Sequence, residues 1–155
     1  MKKVLNFPTY YKQINIGSCG PNAMKGVISY ILRKEISEHY LINLGNSSEE
    51  HGTSVRGMAK IADNFGLKYD LKQNSSIDDL VESIKKDIPV IILIQAWGDG
   101  HYVAAIGYNN IEKKLHYYDP FDGKKKTISY KKLAKRWHDR DSEKVYSCFG
   151  MFFRS

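Results

Sequence analysis

The sequence predicts an α+β fold, with helices first and a mostly antiparallel sheet after them. Two observations predict it. Apolar residues recur at helical spacing from Cys19 to Ile84, and from Pro89 onward they fall into short β-branched or aromatic runs separated by turn residues. Length sets the scale: 155 residues suffice for one sizeable core, and no repeat, low-complexity stretch or Pro/Gly/Ser linker divides them, so the expectation is one domain spanning 1–155.

The elements follow in order. Residues up to Ile16 are extended and rich in Tyr. A helix runs from Cys19 to about Arg33, with Pro21 in its first turn, where a missing N–H does no harm. Ala23, Val27, Ile28, Ile31 and Leu32 give that helix a wide apolar face. A second helix covers Ser37 to Leu44 and ends at Gly45. Thr53 or Ser54 caps a third, carrying Val55, Met58, Ala59, Ala62 and Phe65, which Gly66 stops. Leu67 to Leu71 alternates as a short strand. Ser75 or Ser76 caps a fourth helix, with Asp78 and Asp79 in its first turn to complement the dipole. Pro89 to Trp97 is a buried strand and Tyr102 to Tyr108 another. Asn109-Asn110 turns the chain back into Leu115–Tyr118 as an antiparallel hairpin. Lys126 to Ile128 forms a further strand, Tyr130 to Trp137 a short helix, and Val145 to Phe153 a closing aromatic strand.

Composition excludes several classes. Hydrophobic residues at 42% and charged residues at 26% are those of a folded protein and argue against disorder. The net charge is +7, but the lysines scatter along the chain apart from Lys124 to Lys126, which follow the Asp122-Gly123 turn and read as a solvated hairpin tip. No interleaved aromatic and basic motif appears, so no specific nucleic-acid binding is expected. Two cysteines, Cys19 and Cys148, are too few for a disulfide framework, although one bridge between them stays open. Cys148, set among Tyr146, Phe149, Phe152 and Phe153, reads as core. The first residues hold no apolar run fit for a signal peptide, and Pro89 to Ala96 is too short to span a bilayer. The expected setting is therefore cytoplasmic, although a chain trimmed of a leader would read the same.

The candidate chemistry starts at Cys19. At the beginning of a helix, unpaired backbone N–H groups and the positive dipole end favour an anionic sulfur and offer donors to an oxyanion. A lone cysteine is more commonly a small buried apolar residue, but the small neighbours Gly17, Ser18 and Gly20 leave this sulfur reachable. Gln13, six residues earlier, can complete an oxyanion hole with its side-chain amide. His101 follows the Gly98-Asp99-Gly100 turn at the end of a strand, where an imidazole can exchange a proton with Cys19. His39 and His138 lie in polar stretches, His51 on a polar loop, and His116 alternates toward solvent. Asp119 ends the return strand ahead of Pro120, so the hairpin places it at the same end as His101, which favours it over Asp99 or Asp122 as the carboxylate that fixes the histidine tautomer. Gly17, Ser18, Trp97 and Gly100 are the expected substrate contacts. Trp97 is equally well read as a buried aromatic at a strand end.

These residues carry a resemblance. Gln13 with Cys19-Gly20-Pro21-Asn22-Ala23, then Gly100-His101-Tyr102-Val103, then Tyr118-Asp119-Pro120, resembles the C39 and C39-like peptidases of the papain-like superfamily, as does Gly52-Thr53-Ser54 at a helix start. The resemblance runs from Gln13 to at least Pro120. It implies a papain-like arrangement, a cysteine helix packed on an antiparallel sheet that bears the histidine and aspartate, with Gln13 as oxyanion donor. The best-known members also carry an export ATPase and membrane segments, which this sequence lacks.

The expected activity is that of a cysteine peptidase acting on a peptide or protein through a thioester intermediate, with no cofactor and no metal, since no Cys/His cluster has zinc spacing. The residues leave open a deamidase, isopeptidase or acyltransferase using the same triad, and a non-catalytic peptide-binding domain on the same fold. Nothing in the sequence sets the oligomeric state or the substrate.

Overall fold

The computed structural model describes residues 1–10, 12–96 and 99–154. In chain order these form β1 (Lys2–Val4), α1 (Cys19–Leu32), α2 (Glu38–Leu44), α3 (Val55–Asn64), β2 (Lys68–Lys72), α4 (Ile77–Lys85), β3 (Val90–Ala96), β4 (Asp99–Asn109), β5 (Lys114–Asp119), β6 (Lys124–Ser129), α5 (Tyr130–Arg136), β7 (His138–Arg140), β8 (Val145–Ser147) and β9 (Gly150–Arg154). Among the described residues the main sheet has seven strands in the order β2-β9-β3-β4-β5-β6, with β1 pairing the far end of β4, and β7 and β8 form a separate ribbon. Every pairing is antiparallel. The α+β expectation therefore holds.

Local chemistry accounts for the helix starts. Ser54 accepts a hydrogen bond from the Gly57 N–H, and Ser76 with Asp79 forms a reciprocal capping box. Gly66, at φ +71°, ends the third helical segment in the left-handed region that a Cβ disfavours. The continuous apolar run Val90 to Ile94 is explained by burial of all five residues, as expected when both faces of a strand are covered. Helix α1 lies against β4 and buries Ala23, Met24, Val27 and Ile28, so the start of this helix, with Cys19, stands over the strand that carries His101.

The N-terminal segment is tied down along its length. Leu5 N–H donates to the Ile106 carbonyl, the buried Phe7 ring packs 5.6 Å from that of Tyr118, and Gln13 N–H donates to the Pro120 carbonyl.

Four expectations need correction. The closing strand is two strands, β8 and β9, broken at Cys148, whose φ of +47° interrupts the extended backbone. Cys148 is half-buried against the core rather than inside it, and both cysteines are free thiols. Lys124 to Lys126 are not a hairpin tip, because they open β6 and pair with Asp119, Tyr118 and Tyr117. Nor are the cations scattered: residues 124–140 hold eight Lys/Arg against the one acid Asp139, an excess equal to the net charge of the whole chain.

Candidate active site

Gly100 belongs to strand β4, facing Gln95 on β3, so His101 is the third residue of that strand rather than its first. A Cβ at Gly100 would lie 2.7 Å from the Arg140 carbonyl oxygen, so only glycine lets the β7 ribbon approach the strand this closely. On the neighbouring strand Asp119 is the last residue of β5, one place beyond the Tyr118–Ala104 pair. The two side chains meet as the hairpin expectation requires: His101 Nε2 lies 2.6 Å from Asp119 Oδ1, and both residues are buried.

Cys19 lies close enough to the imidazole to raise its pKa. With Nε2 committed to Asp119, Nδ1 is the nitrogen left for the sulfur. Desolvation alone would drive the His101 pKa down, but the Asp119 hydrogen bond and charge, with the nearby Cys19, outweigh it and raise it from 6.5 to about 9. Burial of Asp119 acts to raise its pKa, and the hydrogen bonds from His101 and Lys126 overcome this, lowering it from 3.8 to about 2. At neutral pH the buried cluster thus holds an imidazolium against a carboxylate, with the sulfur beside it.

Cys19, His101, Gln13, Gly17 and Gly100 line one cleft of about 820 Å³, together with Ile14, Thr53, Tyr102 and Phe121. Asp119 does not line it. The carboxylate sits behind the histidine, on a second cavity of about 430 Å³ that also touches His101, Lys126, Tyr117 and Arg136. Gln13 is buried, and its Nε2 donates one N–H to the Asn15 carbonyl at 2.7 Å, leaving the second amide hydrogen for another acceptor. Ser18 is fully buried and is not a cleft residue. Its hydroxyl closes the Asn15 turn, accepting from Asn15 N and donating to Asn15 O at 3.0 Å each. Trp97 lies outside the described residues.

Of the other histidines, His39 and His138 are exposed, His116 is half-buried on β5, and His51 reaches the cleft rim but is largely solvated.

Sequence reasoning missed three groups around the site. Glu38, buried on α2, accepts from the Ile14 N–H at 2.7 Å and from Asn22 Nδ2 at 2.8 Å, while the Tyr118 hydroxyl donates to Asn22 Oδ1 at 2.7 Å. This satisfied network bolts the Gln13 segment and the cysteine helix to the aspartate strand. Lys126 reaches Asp119 Oδ2 at 2.8 Å. Asp139 lines the cleft. Among the described residues its Oδ2 and Gln13 Oε1 are the buried side-chain polar atoms without a partner. A serine before a helix (Ser37) flags a cap, but no local pattern shows that the following Glu38 turns inward.

Among the described residues no group of three or more His, Cys, Asp or Glu is placed to hold a metal ion, and no helix is long and apolar enough to cross a membrane.

Comparison with known proteins bears on this geometry. The model of the Peptidase_C39 like family matches residues 4–145. A comparison with curated proteins finds no match. Among solved structures, the fold is similar to the peptidase domain of Streptococcus ComA, a bifunctional ABC transporter of a quorum-sensing pathway, at TM-score 0.72 and 19% identity, covering 94% of this chain and 96% of that one. It is also similar to a double-glycine-motif protease from an AMS/PCAT transporter in complex with the leader peptide, at TM-score 0.72 and 19% identity over 97% and 92% of the two chains. A Bacillus anthracis protein described as a C39-like peptidase superimposes at TM-score 0.77 and 14% identity, over 100% and 98%.

Proposed function

Because this chain belongs to the Peptidase_C39 like family, we propose that it hydrolyses a peptide or amide bond with Cys19 as nucleophile, His101 as proton carrier, Asp119 as its orienter and Gln13 as an oxyanion donor. The single observation that carries the proposal is the buried His101–Asp119 pair, 2.6 Å apart, whose imidazole lines the same cleft as Cys19.

The steps balance. Cys19 Sγ attacks the carbonyl carbon and forms the carbon–sulfur bond. The Gln13 side-chain N–H and the Cys19 backbone N–H, which at a helix start has no intrahelical acceptor, receive the oxyanion. His101 delivers its proton to the departing amine as the carbon–nitrogen bond breaks. Water, losing its proton to His101, then attacks the thioester and releases a carboxylic acid and the free sulfur. The substrate is a peptide or protein, and the resemblance to bacterial transporter peptidases makes a bacterial setting the natural one.

A peptide-library cleavage screen run beside Cys19→Ala tests the reading. Cleavage by the parent and none by the variant is expected. Equal turnover by the two excludes Cys19 as nucleophile, and a product heavier by about one mass unit with unchanged chain length identifies the same triad working as a deamidase.

A further inference from the structure

We propose that Lys126 is a positioning residue for this reaction, fixing from behind the carboxylate that orients His101. The inference rests on the functional reading above and adds a fourth side chain to it.

Asp119 is held from both sides. Its Oδ1 takes His101 Nε2 at 2.6 Å and the Phe121 N–H at 3.0 Å, and its Oδ2 takes Lys126 Nζ at 2.8 Å. The terminal torsion of an aspartate is broad, so contacts on one oxygen leave the carboxylate plane loosely set. A bond on the opposite oxygen removes that freedom. Lys126 is itself restrained, because its ammonium also pairs with Asp122 at 3.0 Å.

The placement follows from strand register. Asp119 pairs with Lys124, and Tyr117 pairs with Lys126, so Lys126 is the diagonal neighbour of Asp119 on the same sheet face, within reach of a long side chain. It lines the second cavity and not the cleft that Cys19 lines, so it acts without touching substrate. The plainer role for lysine on β6, the outermost strand, is to guard a sheet edge, and the exposed Lys124 and Lys125 serve it. Lys126 is set apart by its bonds to Asp119 and Asp122.

Two effects of removing Lys126 have opposite signs, which makes the proposal testable. Loss of a nearby cation favours a charged imidazole, whereas loss of carboxylate orientation weakens the His101 bond that sustains it. The titratable and charged groups facing the His101–Asp119 pair are Cys19 on α1, Tyr117 on β5, Asp122 in the turn before β6 and Lys126 on β6, with Arg136 of α5 on the same second cavity.

The experiment follows the His101 ring signals by NMR across pH in the parent chain, Lys126→Met and Lys126→Arg, with iodoacetamide labelling of both cysteines in the parent. In Lys126→Met the His101 midpoint is expected to fall by about one unit. Lys126→Arg is expected to restore it. A midpoint that stays or rises in Lys126→Met overturns the proposal. Lys126→Gln, which is shorter but keeps an uncharged N–H donor, serves if the methionine variant does not fold, with a smaller fall expected and a rise again decisive against it. A parent chain whose His101 midpoint is ordinary, and whose Cys19 alkylates no faster than Cys148, overturns the functional reading itself, whatever the variants do.

Discussion

Gln13 donates its backbone N–H to the carbonyl oxygen of Pro120 at 2.8 Å, tying the segment ahead of the cysteine helix to the residue just beyond Asp119. The Gln13 backbone is thus anchored independently of its side chain. Gln13→Ala is expected to remove the amide donor while leaving the segment in place, lowering kcat by about 10²–10³-fold with little change in KM. Steady-state kinetics on a cleaved library peptide check this, and a rise in KM at constant kcat would assign Gln13 to binding.

The alkaline limb of activity belongs to His101. Its pKa is raised from 6.5 to about 9, so the imidazolium persists through neutrality and is lost as pH rises through about 9. Activity is expected to fall over that range. The sign for folding is the same: stability contributed by the imidazolium is complete below 6.5 and disappears as pH passes about 9. Asp119 runs the other way, contributing above 3.8 and losing its contribution as pH falls through about 2. Asp119→Asn is expected to draw the alkaline limb down toward 6.5. A pH–rate profile of parent and variant measures it.

Glu38 is the polar keystone of the core. Glu38→Ala leaves the Ile14 N–H and Asn22 Nδ2 buried without an acceptor, an expected loss of about 2–4 kcal/mol. Urea unfolding measures the loss, and a change within about 0.5 kcal/mol, the range of ordinary surface substitutions, would show that water replaces the carboxylate.

Ser76→Ala serves as the control away from the site, because that serine belongs to the capping box of α4. Its removal is expected to cost about 1 kcal/mol, which lowers Tm by about 2–4 °C in a chain of this size. Alkylation of Cys19 is expected to be unchanged. A loss of Cys19 reactivity in that variant would connect α4 to the site.

Much of the fold was legible because its signals are local. The capping serines, the Gly66 stop and the buried β3 run follow from residues a few places apart, and the hairpin that brings His101 beside Asp119, 18 residues on, is announced by the turn residues between its strands. What sequence could not show depends on long-range contact. The His138–Arg140 strand has no apolar alternation and exists because β8 pairs with it. Cys148 breaks an aromatic run by backbone conformation rather than by residue type. Glu38 and Lys126 look like surface charges until the chain folds, because their partners lie 16 or more residues away in one case and across a strand pair in the other. Ser18, read as a substrate contact from its place beside Cys19, turns inward to close the Asn15 turn.

The most direct test of the central claim is to trap the acyl-enzyme. A cleaved library peptide is mixed with the protein, the reaction is quenched in acid, and the digested chain is mapped by mass spectrometry. The account predicts a hydroxylamine-labile acyl adduct on Cys19 that is absent from Cys19→Ala. Cleavage that proceeds with Cys19 unmodified, and equally in the variant, would contradict it.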